Sequence, residues 1–153
     1  MSQAVLQKTY VITPRTMAIF PAKQMEFGSI IFEVDRQVMV KETPSEIIRA
    51  SCMHYGSTYE GRRRSVIEHL GFRNKIPIPI DPTRRLYVFP THSLTNYDCA
   101  WILHHQIAFI QKHPNPTQSI VHFRNDQRVV LDISYKQLKT QVERTMICGY
   151  RFS

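Results

Sequence analysis

The sequence has few cysteines and glycines and no long apolar run. Its three cysteines, Cys52, Cys99 and Cys148, are odd in number and far apart, which fits reduced thiols better than a disulfide framework. No stretch approaches the roughly 20 apolar residues that a membrane-spanning helix needs. The first residues lack the charged-then-apolar order of a signal peptide, and Ser2 excludes a myristoylation signal. We therefore expect a cytoplasmic protein without a membrane partner.

The sequence also lacks the residue clusters that metal and catalytic sites need. Cys52 and His54 have no second pair at short spacing, and Cys99 with His104 and His105 lacks the local signature of a cysteine nucleophile. The acidic residues are scattered singly, without a carboxylate cluster that could hold magnesium for a nuclease, and there is no glycine-rich phosphate loop. We expect no metal, no cofactor and no enzymatic activity.

Length and composition predict one folded domain with an anionic partner. The chain has 153 residues, of which 42% are hydrophobic and 21% charged, as in ordinary globular proteins. Its net charge of +8 and its pI near 9.7 are unusual and favour nucleic acid as the partner. We expect residues 1–153 to form a single domain.

The positive charge is concentrated in residues 61–85. Seven basic residues stand there against two acidic ones, a net charge of +5. A charged triplet such as Arg62–Arg64 is costly to bury, so we expect it to lie in solvent, either as a solvated helix start or against a polyanion, and to be dispensable for folding. Gly61 would let the backbone turn sharply and approach the ligand. The predicted contact residues are Tyr59, Gly61, Arg62, Arg63, Arg64, Arg73, Lys75, Arg84 and Arg85.

The hydrophobic pattern is mostly that of strands. Strands are predicted at residues 10–13, 16–20, 29–34, 37–41, 76–80, 86–89, 99–110, 118–124 and 128–133. Hairpin turns are predicted at Asp35-Arg36 and at Asn125-Asp126. Pro77 and Pro79 lack amide donors, so residues 76–80 must form an edge strand or an extended arm. Residues 99–110 also fit a helix, although their alternation favours a strand.

Three helices are predicted between these strands. A capping box at residues 43–46 opens the first helix, which ends at Gly56. A second helix is predicted at residues 63–70 and ends at Gly71. A second capping box at residues 134–137 opens the last helix, with Leu138, Val142 and Met146 as its apolar stripe and Gly149 as its end. The order of these strands and helices along the chain predicts an α+β fold. It is β-rich, with antiparallel strands and hairpins and a C-terminal helix.

Several short blocks share the order and spacing of one known family. They are Ser51-Cys52, Tyr55-Gly56-Ser57, Tyr59, Gly61-Arg62, Asp81-Pro82, Phe89-Pro90-Thr91 with Ser93, Cys99 with Trp101-Ile102, Ile133-Ser134-Tyr135, Gln141-Val142 and Arg144-Thr145. Spread over about residues 10 to 150, these blocks resemble the bacterial ComK family of competence transcription factors.

The resemblance implies a cytoplasmic, nucleoid-associated activator that binds double-stranded DNA and turns on DNA-uptake genes. It implies recognition of paired A/T-rich boxes, mainly through the minor groove, by a homodimer or a dimer of dimers that bends the DNA. Inserted arginines respond to the width and potential of that groove. An arginine loop after Gly61 and an extended arm at residues 76–80 would suit this task. Longer family members carry a tail bound by an adaptor of a Clp protease. This sequence stops at Ser153, so we expect that tail site to be absent.

Three alternatives remain open. Helices at residues 43–55 and 63–70 could imitate a helix-turn-helix, but the seven-residue link is long and the second helix short, so we disfavour it. A cytosolic RNA-binding or ribosome-associated protein would need solvent-facing aromatic rings, for which Tyr55, Tyr59 and Tyr87 are candidates. A phosphodiester hydrolase is disfavoured by the missing carboxylate cluster.

Overall fold

Ten strands and three α-helices make up residues 5–153, the part of the chain that this computed structural model describes. The predicted domain starts at residue 1, so its first four residues lie outside the described part. The strands are β1 Val5–Gln7, β2 Thr16–Pro21, β3 Ser29–Glu33, β4 Gln37–Val40, β5 Ile78–Asp81, β6 Leu86–Pro90, β7 Trp101–Leu103, β8 Ile107–Lys112, β9 Ser119–Phe123 and β10 Arg128–Leu131. The helices are α1 Pro44–His54, α2 Tyr59–Leu70 and α3 Tyr135–Phe152. The predicted α+β class with a C-terminal helix is confirmed.

The strands form two sheets. The larger has seven strands in the order β1-β4-β3-β2-β7-β6-β5, and the smaller has three in the order β10-β9-β8. All neighbours are antiparallel except β1 and β4, which run parallel. Strand β5 lies at one edge of the larger sheet and carries Pro79, so the missing amide donor is tolerated there. The edge-strand prediction is confirmed.

The larger sheet separates two hydrophobic cores. Successive side chains of a strand point to opposite faces. Val88 and Trp101 therefore lie in the core under α1 and α2, whereas their neighbours Phe89 and Ile102 lie in the core against the three-stranded sheet. Helix α3 contributes to both cores, through Cys148 at one end and Leu138 at the other. Helices α1 and α2, the larger sheet and the smaller sheet thus form three layers. Because α3 packs into both cores, this arrangement fixes α2 and the edge strand β5 relative to α3.

Local signals placed most helix ends correctly. The Thr43 side chain accepts a hydrogen bond from the Glu46 amide, and the Glu46 side chain accepts one from the Thr43 amide, which makes the predicted capping box. Gly71 ends α2 in the left-handed conformation with φ 73°. Both predicted hairpins form, β3 with β4 and β9 with β10.

One strand prediction is wrong and another is wrong in part. Residues 10–13 join no sheet, because their amides bond to side chains instead: the Ile12 amide donates to Ser51 Oγ and the Tyr10 amide to Glu42 Oε1, each over 3.0 Å. Residues 99–110 are extended rather than helical, but a 3-10 turn at His104–Gln106 splits them into β7 and β8, which belong to different sheets.

The two later helices also differ from prediction. Helix α2 begins at Tyr59, four residues earlier than expected. Helix α3 runs through Gly149 to Phe152, and its buried face consists of Leu138, Gln141, Thr145 and Cys148. Met146, assigned to the apolar stripe, is 45% exposed.

Within residues 5–153, no helix is both long and apolar enough to cross a bilayer.

Candidate nucleic-acid interface

The arginine triplet lies in helix α2, so the predicted arginine loop is wrong. Thr58 caps the helix, and its Oγ1 accepts a hydrogen bond from the Gly61 amide over 2.9 Å. A Cβ on Gly61 would lie 3.0 Å from that same oxygen. Gly61 therefore leaves room for the cap, and the sharp turn that we assigned to it occurs at Gly56, with φ 102°.

The three arginines point in different directions, because successive helical residues are about 100° apart. Arg62 turns inward and donates from Nη2 to the Tyr55 carbonyl over 3.1 Å. Arg63 is half-buried. Arg64 is 81% exposed, with its Nε 3.3 Å from Glu68 Oε1. The expectation that all three are exposed holds only for Arg64.

Arg63 lines a cavity between α2 and the loop before β7, which we call the Tyr59 cavity. Its volume is about 410 Å³. The lining residues are Tyr59, Arg63, Arg73, Asn74, Lys75, Ile76, Pro90, His92, Ser93, Leu94, Thr95 and Trp101. No carboxylate is among them, and within residues 5–153 Arg63, Arg73 and Lys75 form no ion pair. Three uncompensated cations around one concave surface attract an anion.

Helix α3 holds the loop that carries Arg73 and Lys75. Lys75 has a positive φ of 49°, and its carbonyl accepts a hydrogen bond from Gln141 Nε2 over 2.9 Å. The same nitrogen donates to the Pro90 carbonyl over 2.9 Å. Arg144 donates to Gln141 Oε1 over 2.7 Å, and its guanidinium lies 4.3 Å from the centre of the Phe72 ring. Two side chains of α3 thus fix the backbone of this loop.

Sequence reasoning missed Gln141 and Arg144 as supports of the site. It also missed Lys136, which lines a neighbouring cavity together with Lys75 and Arg144. The signal that was available is the amphipathic pattern of α3: positions 138, 141, 145 and 148 fall on one face at helical spacing. Two of those four residues are polar, so the apolar pattern identified Leu138 but not Gln141 or Thr145.

Arg84 and Arg85 lie away from the Tyr59 cavity. Arg84 Nη1 is 2.7 Å from Asp81 Oδ2, and its guanidinium lies 5.5 Å from the centre of the Tyr55 ring. Burial disfavours the Asp81 carboxylate, but hydrogen bonds from Thr83 and Arg84 outweigh that effect and lower its pKa. Arg85 is exposed, in the left-handed conformation. Arg62 and Arg84 therefore lie near Tyr55, apart from the basic residues of the Tyr59 cavity. Arg85 lines a third place, a cavity beside Tyr87 and the end of α3.

The three candidate tyrosines do not offer the solvent-facing rings that RNA recognition would need. Tyr59 is 6% exposed, and the Arg49 guanidinium covers its ring at 4.7 Å. Tyr87 is buried as well, and the Tyr55 hydroxyl donates to the Ile12 carbonyl over 2.7 Å. Residues 76–80 are also buried, so the extended arm that we expected to suit a groove is not available.

The geometry of α1 and α2 removes both reasons for disfavouring a helix-turn-helix. The link between them is residues 55–58, and α2 is 12 residues long. Its exposed arginine lies in the first half of the helix, where recognition helices contact base edges. Reading of the major groove by α2 therefore remains an alternative to reading of the minor groove.

In the described part of the chain, no group of three or more His, Cys, Asp or Glu side chains is placed to hold a metal ion. Cys52 and Cys148 are buried, and burial raises the pKa of each thiol to about 11. Such thiols are protonated at neutral pH and poor nucleophiles.

Comparisons with known proteins agree with a nucleic-acid partner for the basic surface. A protein-family model described as ComK protein matches residues 7–153. A Bacillus subtilis (strain 168) protein described as "Competence transcription factor" is 34% identical over 140 residues, an alignment that covers 90% of this chain and 72% of that protein. No solved structure matches the chain.

Proposed function

Because the chain belongs to the ComK family of competence transcription factors, we propose that it binds A/T-rich duplex DNA and activates genes for DNA uptake. The family consists of transcription factors, not enzymes, and its partner is DNA. Residues 1–153 would act as one DNA-binding domain, since in the described part, residues 5–153, both cores share the same seven-stranded sheet. The resemblance also supports a homodimer or dimer of dimers on paired boxes and a place at the nucleoid.

The observation that carries the proposal is the group of uncompensated cations at the Tyr59 cavity. Arg63, Arg73 and Lys75 line it together without a carboxylate, and exposed Arg64 lies next to Arg63 on α2. Phosphate contacts by such side chains supply most of the affinity of a protein for DNA. The proposed DNA-binding residues remain Tyr59, Gly61, Arg62, Arg63, Arg64, Arg73, Lys75, Arg84 and Arg85.

The members of that set have different tasks in this arrangement. Arg63, Arg64, Arg73 and Lys75 would contact the DNA backbone or enter a groove. Arg85 would extend the surface, because it is exposed. The remaining residues, Tyr59, Gly61, Arg62 and Arg84, would position the surface through the cap, the Tyr55 contacts and the buried ring.

We propose that the A/T-rich boxes are read mainly through the minor groove. A·T and T·A pairs look nearly alike there, so the groove's narrow width and negative potential are what a protein reads, and arginine side chains respond to both. The arginines of α2 and of the Lys75 loop supply such side chains.

A competition assay tests the proposed function. Fluorescence anisotropy on duplexes with systematically varied A/T boxes would be measured against unlabelled G/C-rich duplex and single-stranded RNA. We expect tightest binding to paired A/T boxes and weak competition by both competitors. Equal affinity for single-stranded RNA would favour an RNA-binding or ribosome-associated protein and contradict the proposal.

A further inference from the structure

The Tyr59 cavity has the composition of an anion-binding site and not merely of a positive surface. Besides its three cations, it is lined by the hydroxyl-bearing residues Ser93 and Thr95. Arginine forks and hydroxyl groups are the donors that phosphate oxygens accept from most readily. Tyr59 and Arg63 are four residues apart on α2, so they lie on the same face of the helix and line the cavity together.

The cavity is also preformed. Gln141 is 3% exposed and joins the carbonyls of Lys75 and Pro90, two lining residues from different segments. Arg144 orients Gln141 and stacks on Phe72 at the start of the loop. A site that is rigid before binding loses less conformational entropy when it takes its ligand.

We propose that the Tyr59 cavity is a phosphate-binding site, which in the complex takes one backbone phosphate of the bound DNA strand. The inference rests on the proposed function and adds the ligand group and the residues that hold it. Arg63, Arg73 and Lys75 supply the charge, and Ser93 and Thr95 the neutral donors. A volume of about 410 Å³ exceeds that of a phosphate, so the site has room for the attached sugar. Two sources carry this chemistry: the DNA strand and a free nucleotide.

The protein contains its own reporter for this site. Trp101 is the single tryptophan of the chain and lines the cavity. It also lines a neighbouring cavity near Lys23, so a change in its fluorescence must be assigned to the right cavity by substitution. The double variant Arg63→Lys with Arg73→Lys serves this purpose, because it keeps the charge and removes both arginine forks. Arg128→Lys is the matched control, since Arg128 is exposed on β10 and lies outside both the cavity and the proposed DNA-binding residues.

The experiment has a small-ligand arm and a duplex arm, both at constant ionic strength set with chloride. In the first, dTMP is titrated into the full chain and Trp101 fluorescence is recorded. In the second, the affinity for an A/T-rich duplex is measured by anisotropy, with and without dTMP. We expect a saturable response to dTMP, competition between dTMP and duplex, and affinity for both lowered about tenfold or more in the double variant. The Arg128→Lys control should behave as wild type.

Three results would overturn the inference while leaving DNA binding intact. The first is wild-type duplex affinity in the double variant, because diffuse attraction depends on charge alone. The second is a Trp101 response that the double variant does not change. The third is saturation by dTMP without competition, which would make the cavity a site for free nucleotide only. Failure of the wild-type protein to bind duplex at all would contradict the proposed function itself. Circular dichroism would show that each variant is folded.

Discussion

The side chain of Arg62 donates a hydrogen bond from Nη2 to the Tyr55 carbonyl over 3.1 Å and so joins the first turn of α2 to the end of α1. Carbonyls at a helix end lack partners within the helix and need one from outside. The first arginine of the triplet therefore supports the structure, whereas Arg64 lies in solvent.

This difference predicts opposite effects on stability within one triplet. We expect Arg62→Ala to lower the free energy of unfolding by about 1–2 kcal/mol, because a partly buried charge-assisted hydrogen bond is lost. The melting temperature should fall by about 4 °C. Arg64→Ala is the control and should change the free energy by less than about 0.5 kcal/mol. Thermal unfolding of both variants, followed by circular dichroism, checks this; equal melting temperatures would contradict the assigned contact.

Gly28 predicts a second stability effect. A Cβ there would lie 2.8 Å from the Glu42 carbonyl oxygen and 3.0 Å from that of Lys41, and both are backbone atoms that cannot move aside. The Gly28 amide also donates to the Val40 carbonyl over 2.9 Å, which fixes the approach. We expect Gly28→Ala to cost about 1–3 kcal/mol.

Gly149→Ala is the matched control for that substitution. Gly149 is helical, and its nearest neighbour, Tyr87 Cε2, would lie 4.0 Å from the new Cβ, an ordinary contact. Because alanine favours a helix interior, this variant should gain about 0.5–1 kcal/mol. Urea unfolding of the two variants should therefore shift in opposite directions, and wild-type stability of the Gly28→Ala variant would contradict the close approach at Gly28.

The buried thiols predict a loss of stability in alkali. Burial raises the pKa of Cys52 and Cys148 to about 11, whereas an unfolded thiol has a pKa of about 8.5. The native state thus holds these thiol protons more tightly than the unfolded state does. Their contribution to the free energy of unfolding is therefore complete below about pH 8.5 and is lost as the pH rises towards 11. Urea unfolding at pH 8 and pH 10 measures the change.

In the double variant Cys52→Ala with Cys148→Ala, the free energy of unfolding should change less between pH 8 and pH 10 than in the wild-type protein. Burial also raises the pKa of Tyr10, which adds a change of the same sign in both proteins. An unchanged pH dependence in the double variant would contradict a role for the thiols.

Helix ends that depend on contacts between residues close in the sequence could be predicted from the sequence. The capping boxes at Thr43 and at Ser134 form as expected, because each needs only two residues three positions apart. The start of α2 was missed because Thr58 is followed three residues later by Gly61, not by Glu or Gln, and glycine with three arginines looks unlike a helix start.

The candidate site depends on contacts distant in the sequence, and these could not be predicted. Residue composition identified Arg63, Arg73 and Lys75, but not that they line one cavity while Arg84 pairs with Asp81. The hydrogen bond from Gln141 to the Lys75 carbonyl joins residues 66 positions apart. No local pattern announces such a pair, since it forms only after α3 docks on the sheet.

If the protein reads the minor groove of its target, its affinity for duplexes with substituted base pairs can be predicted. Inosine lacks the N2 amino group that distinguishes G·C from A·T in the minor groove, while an I·C pair differs from A·T in the major groove. We expect I·C in place of A·T to be tolerated, and a drug that occupies A/T minor grooves to displace the protein. G·C substitution is the control and should weaken binding. Loss of affinity with I·C would instead place α2 in the major groove.

The most direct test of the DNA-binding surface is the salt dependence of affinity for an A/T-rich duplex. If about six phosphates are contacted, affinity should fall about a thousandfold between about 50 and 200 mM salt. The triple variant of Arg63, Arg73 and Lys75 to Gln should lose affinity and lower the slope of log K against log salt by about 2.7. A variant with the same net charge, Lys8, Lys41 and Arg128 to Gln, alters exposed cations outside the Tyr59 cavity. We predict a wild-type slope for this control; a nearly flat wild-type dependence, or equal slopes in the two triple variants, would contradict the assignment of this surface to DNA.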